Sequence, residues 1–405
     1  MLFRSNTSIG ELQKTDEAGI AAFVEQVREE LYTQPFAESP FDERGRFKSG
    51  SRLLPPATDA TKTEYLARYT DFFAGETLGG MRVLVYQHSA VGRDLLAEVL
   101  ESLGATVVTA GRSETFVPID TENIGAAELA TIQALFDESG ANFDAVVSTD
   151  GDSDRPLILG VENGMVRFFG GDLVGMIVAR FLGAGAVVVP ISCNDAIDRG
   201  DLADTLEPKT KIGSPFVIAG MDTARENGKT NICGWEANGG FLTGSDFVRN
   251  GNTLSALPTR DAFLPILATL FATKATGKTL VELFASLPAR FSKAALLRPF
   301  PRETALAMVN KLTGDLEAVR SPIESVFDAA HGFGTVAKVD YTDGVRVYFA
   351  SGDVAHLRPS GNAPELRIYA VADTPERAAQ IADYGIAEPD GALRQFERMA
   401  RGANG

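Results

Sequence analysis

The chain has 405 residues, too many for one ordinary core and enough for two to four domains. With 44% hydrophobic and 23% charged residues it has the composition of a soluble globular protein, and no run of 18 or more apolar residues marks a membrane span. A formal net charge of −16 argues against nucleic acid, whose phosphates need a basic footprint, but leaves room for a small phosphorylated ligand held by a few arginines or a bound cation.

Residues 14–33 predict a helix. Ile20, Phe23, Val24, Val27 and Leu31 follow the i, i+3, i+4, i+7 pattern, and Asp16 and Glu17 suit its N-terminal dipole. The Pro-, Gly- and charge-rich stretch 34–60 reads as loop. From about residue 80 strands and helices alternate. MRVLVYQ, ATVVTAG and FDAVVS are predicted strands, with RDLLAEVLESLG and AAELATIQALFDESG as helices between them. The pattern recurs with helix LVGMIVARFLG, strand AVVVPIS and helix DAFLPILATLF. The last part differs, with strands FSKAALLRPF, VRVYFAS and LRIYAVA and helices around 303–319 and 375–398. Domain boundaries are expected near 80, 172 and 287. Only Cys193 and Cys233 are present, with no CxxC pair, which fits a reducing cytoplasm and argues against structural zinc. The opening MLFRSNTSIGEL has no basic region followed by an apolar one, so no secretory signal is read there.

Three loops carry chemistry. In VVSTDGDSDR the strand FDAVVS should emerge at the C-terminal edge of its sheet, where open α/β sheets place ligands. Asp150, Asp152 and Asp154 alternate, so in an extended loop they converge on one cation, and all-carboxylate ligation suits Mg²⁺, Mn²⁺ or Ca²⁺. A calcium-binding EF-hand loop would want Gly and Glu where Arg155 and Val161 stand. In NICGWEANGGFLTGSD, Glu236 and Asn238 on a glycine-rich backbone can bind sugar hydroxyls, although such a loop by itself reads as a turn just as well. In HLRPSGNAPELRIYA, Ser360, Gly361 and Asn362 form a tight turn whose N–H groups can make an anion nest. Arg358 and Arg367 flank it as forked phosphate donors.

The order of these loops, Asp-Gly-Asp-x-Asp-Arg, then Gly-x-Glu-x-x-Gly, then Arg-x-Ser-Gly-x-x-Pro, resembles the α-D-phosphohexomutase superfamily. Within it the likeness is to phosphomannomutase/phosphoglucomutase-like members, over about 80–405. The resemblance implies three consecutive mixed α/β sheet domains, the first only a remnant, and an α+β C-terminal domain of TATA-box-binding-protein-like type. It divides the chain into 1–79, 80–171, 172–286 and 287–405. It implies Mg²⁺ on Asp150, Asp152 and Asp154, with Arg155 supporting a phosphoserine site. Sugar hydroxyls fall to Glu236 and Asn238, and phosphate to Arg358, Ser360, Gly361, Asn362 and Arg367. The implied reaction interconverts hexose 1-phosphate and hexose 6-phosphate, mannose first, through a phosphoserine and a hexose bisphosphate, in a cytoplasmic monomer or dimer.

Departures from the pattern set further expectations. No Thr-x-Ser-His-Asn-Pro-like phosphoserine loop is found, and Ser89 in YQHSAVGRD reads as structural. NTSIGELQKTDEAGI resembles a part of domain one downstream of that loop, so the chain is expected to begin inside domain one and to be inactive as written. Leu2, Phe3, Arg4 and Ser5 are what CTC-TTC-CGA-TCT encodes, the end of a common sequencing adapter, which suggests an assembly scar. Gly240 stands where the superfamily often has a histidine, so the general acid/base is unassigned, with Lys14 one candidate. Two other readings are a metal-dependent phosphatase with Asp150 as nucleophile and a sugar-phosphate-binding protein without catalysis.

Overall fold

The structure is a computed structural model that describes residues 6–7, 10–51, 53, 55–140, 142–360 and 363–402. Helix α1 (Glu17–Thr33) forms where its apolar spacing predicts, yet buries none of its residues, and Phe23 is 65% exposed. Helix α2 (Ala60–Phe72) is an addition to the predicted elements. Its Tyr69 and Phe72 are buried, and Tyr65 packs against the same core.

Two mixed sheets then follow one plan. In the first, β1 (Arg82–Tyr86), β2 (Thr106–Ala110) and β3 (Ala145–Thr149) are parallel, and β4 (Pro156–Glu162) and β5 (Met165–Phe168) continue it antiparallel, in the order β2-β1-β3-β4-β5. Side chains alternate across a strand, so β1 sends Val83 and Val85 into one core with Leu96 and Val99 of helix α3 (Arg93–Ser102). Leu84 and Tyr86 enter another with Ile132 and Phe136 of helix α4 (Ala126–Glu138).

Helix α5 (Gly171–Leu182) leads into the second sheet. There β6 (Ala186–Val188) and β7 (Ile232–Trp235) are parallel, with helix α6 (Ser214–Glu226) between them in sequence. Strands β8 (Phe241–Thr243) and β9 (Leu257–Asp261) add antiparallel, in the order β9-β8-β7-β6. Helix α7 (Phe263–Thr276) is buried at every residue from Phe263 to Thr273, because it is apolar all round and lies inside the molecule. Its Leu264, Leu267 and Phe271 share one core with Val85 of the first sheet and Trp235 of the second. The two sheets therefore share a middle layer. The short helix α8 (Leu280–Ala285) closes this part, packed against β4.

The last part is an antiparallel sheet with its own core, of the expected α+β kind. Strands β10 (Phe291–Leu297), β11 (Val336–Asp340), β12 (Val345–Phe349), β13 (Val354–Pro359) and β14 (Leu366–Ala372) run in the order β10-β14-β13-β12-β11. The helices expected around 303–319 and 375–398 are each a pair, a correction to the sequence reading. The first is α9 (Arg302–Lys311) and α10 (Leu316–Glu324), parted at Gly314. The second is α11 (Pro375–Ile386) and α12 (Ala392–Arg401), parted by Pro389, which has no N–H to continue a helix. Buried Arg290 ties this part to the second sheet's loops, with Nε 2.6 Å from Asp195 Oδ1 and Nη1 2.7 Å from Asp373 Oδ1. Among the described residues no helix is long and apolar enough to cross a membrane, and both cysteines are free and buried.

Candidate functional site

Strand β3 is buried along its whole length, so the chain leaves the sheet at Thr149 with Asp150 still inside, 2% exposed. Arg155 and the loop backbone then close on that carboxylate. Oδ1 accepts the N–H groups of Asp154 and Arg155, each at 3.1 Å, and Oδ2 accepts Arg155 Nε at 2.8 Å. Ser153 takes a left-handed φ of 62°, and its Oγ accepts from Thr149 Oγ1 and Gly92 N, both at 2.9 Å. The turn brings one carboxylate oxygen from each of Asp150, Asp152 and Asp154 within 4.8 Å of one another. Burial pushes the Asp150 carboxyl above its ordinary range; Arg155 pulls it down, and the neighbouring Asp152 charge pushes it up again. Three carboxylate oxygens that converge in this way fit a hard divalent cation.

The glycine loop occupies the same place in the second sheet. It joins β7 to β8, as the aspartate loop joins β3 to β4, each linking a strand to its antiparallel neighbour. Glu236 is buried at its start, and Gly239 N donates to Glu236 O at 2.9 Å. Asn238 builds the loop. Its Oδ1 accepts Gly240 N at 3.0 Å and its carbonyl accepts Thr121 Oγ1 at 2.8 Å. Gly171 of α5 lies so close beneath that a Cβ there would stand 2.1 Å from Gly239 N.

Arg358 and Arg367 pair across β13 and β14, so both side chains leave the same face of the sheet. Arg358 Nε donates to Asp343 Oδ2 at 3.0 Å, and Arg367 Nη2 to Glu365 Oε2 at 3.3 Å. Ser360 is buried, its N–H on Glu365 O at 2.9 Å, while Gly361 and Asn362 lie outside the described residues.

Sequence reasoning missed three charged residues here. Arg260, on β9, places Nε 3.3 Å from Asp154 Oδ2 and Nη1 3.4 Å from Glu236 Oε2, so it spans the aspartate and glycine loops. Glu11 stands 3.9 Å from the same Nε and accepts Ser214 Oγ at 2.8 Å. Glu122 is pushed up to about 7 by burial and by Asp120, against the pull of Arg367, and it also feels Glu236. It lines a cavity of about 560 Å³ with Asp172, Ala237, Arg290 and Tyr369. The one local signal for Arg260 is the Arg-Asp pair at the end of ALPTRD, just before an apolar helix. Ser89 is held by the backbone, its Oγ accepting Val117 N at 2.8 Å, and exposed Lys14 pairs with Glu17 at 2.5 Å.

Two successive mixed α/β sheets, a carboxylate loop between a strand and its antiparallel neighbour, and an antiparallel C-terminal sheet define the class of scaffold. Family models match on three stretches. They are phosphoglucomutase/phosphomannomutase alpha/beta/alpha domain II over residues 63–164, domain III over 170–291 and the C-terminal domain over 299–386. A phosphomannomutase of Sinorhizobium fredii is 39% identical over 380 residues, which is 93% of this chain and 74% of that protein. One of Salmonella muenchen is 42% identical over 79% of this chain and 64% of that protein. The chain belongs to the phosphoglucomutase/phosphomannomutase family of the α-D-phosphohexomutase superfamily, a family of intramolecular phosphotransferases. In fold it is similar to a family protein of Burkholderia thailandensis, with TM-score 0.58, 18% identity and coverage of 84% of this chain and 64% of that one. It is also similar to N-acetylphosphoglucosamine mutase of Aspergillus fumigatus, solved with GlcNAc-6P and magnesium, with TM-score 0.53, 18% identity and coverage of 82% and 68%.

Proposed function

We propose that this chain is a phosphohexomutase that binds hexose 1- and 6-phosphates, mannose first, and their bisphosphate, with Mg²⁺ on Asp150, Asp152 and Asp154. The observation that carries the reading is the convergence of those three carboxylates within 4.8 Å, next to the loop that carries Glu236. Mg²⁺, when bound, neutralises charge on a transferring phosphoryl group. The protein's own residues do the rest. Arg155 holds Asp150 in place, Glu236 receives sugar hydroxyls, and Asn238 shapes the loop that presents it. Arg358 and Arg367, side by side on one sheet face, grip the phosphate that is not reacting, together with Ser360, Gly361 and Asn362. In this reading the chain divides into the units 1–79, 80–171, 172–286 and 287–405, with the metal loop in the second, the sugar loop in the third and the phosphate loop in the fourth.

The nucleophile is the weak point of the sequence. No Thr-x-Ser-His-Asn-Pro-like loop is present, and the Ser89 hydroxyl is engaged by Val117. We therefore expect residues 1–405 to bind metal and hexose phosphate without turnover. Asp150 acting as a phosphatase nucleophile would instead release free phosphate. Calorimetry and ³¹P NMR with mannose 1-phosphate, glucose 1-phosphate, a trace of hexose bisphosphate and Mg²⁺ test this. Binding with no new phosphorus signal is the expected result. Conversion to the 6-phosphate would refute inactivity, free phosphate would favour the phosphatase, and no binding of either sugar would end the proposal.

A further inference from the structure

Arg260 has the geometry of a coupling element. Its side chain is 13% exposed and faces carboxylates from three separate segments, Asp154 at 3.3 Å, Glu236 at 3.4 Å and Glu11 at 3.9 Å. Charge-assisted N–H···O contacts normally close to about 2.7–2.9 Å. All three contacts are longer, and among the described residues the buried Nε–H has no partner in hydrogen-bond geometry, while Nη1 reaches Glu236 at 3.4 Å. The guanidinium is thus shared among acids that compete for it.

The backbone and stem of Arg260 are held by their surroundings. Behind it, Asp261 is fixed by Tyr65, by Tyr69 and by the Phe263 N–H at 2.9 Å, so the backbone of β9 is anchored. Above it, a Cβ on residue 240 would lie 2.5 Å from Arg260 Cδ, so the stem fills the space that glycine leaves open in the sugar loop. The head group itself lies between Asp154 and Glu236, at 3.3 and 3.4 Å.

We infer that Arg260 is a positioning residue that couples the metal loop to the sugar loop. A divalent cation that takes the Asp154 oxygen releases the guanidinium toward Glu236, which tightens the sugar loop for its ligand. The inference rests on the proposed metal and sugar-phosphate site. By linkage, the metal must tighten sugar-phosphate binding by the same factor as the sugar phosphate tightens metal binding.

Trp235, the single tryptophan, immediately precedes Glu236 and reports on this loop without any sugar ligand. In the wild-type chain, Mg²⁺ should shift Trp235 emission, and mannose 1-phosphate should bind about tenfold tighter with Mg²⁺ than without it. In Arg260→Met the emission response should vanish and the coupling fall below about twofold, while Mn²⁺ still binds by electron paramagnetic resonance. Arg260→Lys, which keeps the charge but loses the fork, should lie between. A wild-type chain that binds Mn²⁺ with no Trp235 response to Mg²⁺ overturns the coupling and leaves the metal site standing. An unchanged response in both variants overturns it too. Absence of Mn²⁺ binding to the wild-type chain sinks the metal site, and the coupling with it. If Trp235 responds but no sugar phosphate binds, the coupling of the loops stands and the mutase reading fails.

Discussion

Arg155 grips both oxygens of Asp150, its backbone N–H on Oδ1 at 3.1 Å and its Nε on Oδ2 at 2.8 Å. One residue thereby closes the turn and supplies the counter-charge for a carboxylate that is 2% exposed. Asp152 is the exposed member of the trio and Asp154 the partly buried one. Asp150 thus serves both the turn and the proposed ligand set, while Asp152 is the most exposed of the three carboxylates.

That difference is testable. Arg155→Met leaves a buried carboxylate without its cation and should cost about 2 kcal/mol in urea unfolding, less than a fully buried pair because the arginine is 28% exposed. Saturating Mg²⁺ should recover part of the loss, since it replaces the missing charge. Asp152→Asn should leave the urea midpoint within about 0.5 kcal/mol of wild type and weaken Mn²⁺ at least about tenfold. Equal Mn²⁺ affinity in Asp152→Asn would remove Asp152 from the ligand set.

A second expectation concerns the anchor behind Arg260. Tyr65 Oη donates to Asp261 Oδ1 at 2.8 Å and the fully buried Tyr69 to Oδ2, so helix α2 fixes the end of β9. Tyr69→Phe strips a hydrogen bond from a buried carboxylate and should cost about 2–3 kcal/mol, with Tyr65→Phe costing about 1–2. The two losses should not add, because both tyrosines serve one acceptor. Urea unfolding of the single and double variants measures this. Losses under about 0.5 kcal/mol for Tyr69→Phe would show that α2 does not anchor the strand.

What the sequence made legible follows from how local each signal is. Asp150, Asp152 and Asp154 fall within five consecutive residues after an apolar strand, so their spacing alone predicts a shared cation. The alternating part of the fold was readable for the same reason, since period and length distinguish strand from helix within a short window. Arg260 meets Asp154 and Glu11 only through the packing of β9, and Tyr69 meets Asp261 across 192 residues. Neither contact leaves a periodic trace. Strands β4, β5, β8, β9, β11 and β13 were not among the predicted strands, and the break between α11 and α12 was hidden by apolar residues that continue on both sides of Pro389.

The strand that carries Arg358 also carries an acid-sensitive group. His356 is fully buried on β13, and its Nε2–H donates to Asp343 O at 2.6 Å, while Asp343 Oδ2 takes Arg358 Nε. Burial, then the nearby Arg346 cation, push the imidazole down to about 3 from 6.5. The native chain therefore keeps His356 neutral where the unfolded chain is protonated. Its contribution to stability is present above pH 6.5 and is lost as pH falls from there toward 3. The loss is at most roughly 1.4 kcal/mol for each pH unit inside that window. His356→Gln removes the titration, so its stability relative to wild type should rise steadily from pH 6.5 to pH 4 and stay constant from pH 7 to pH 8. Urea midpoints across that range measure the difference. A difference that does not change with pH would mean that His356 takes up its proton in the folded chain as readily as in the unfolded one. The anchoring of Arg358 beside the phosphate turn would then owe nothing to a neutral imidazole.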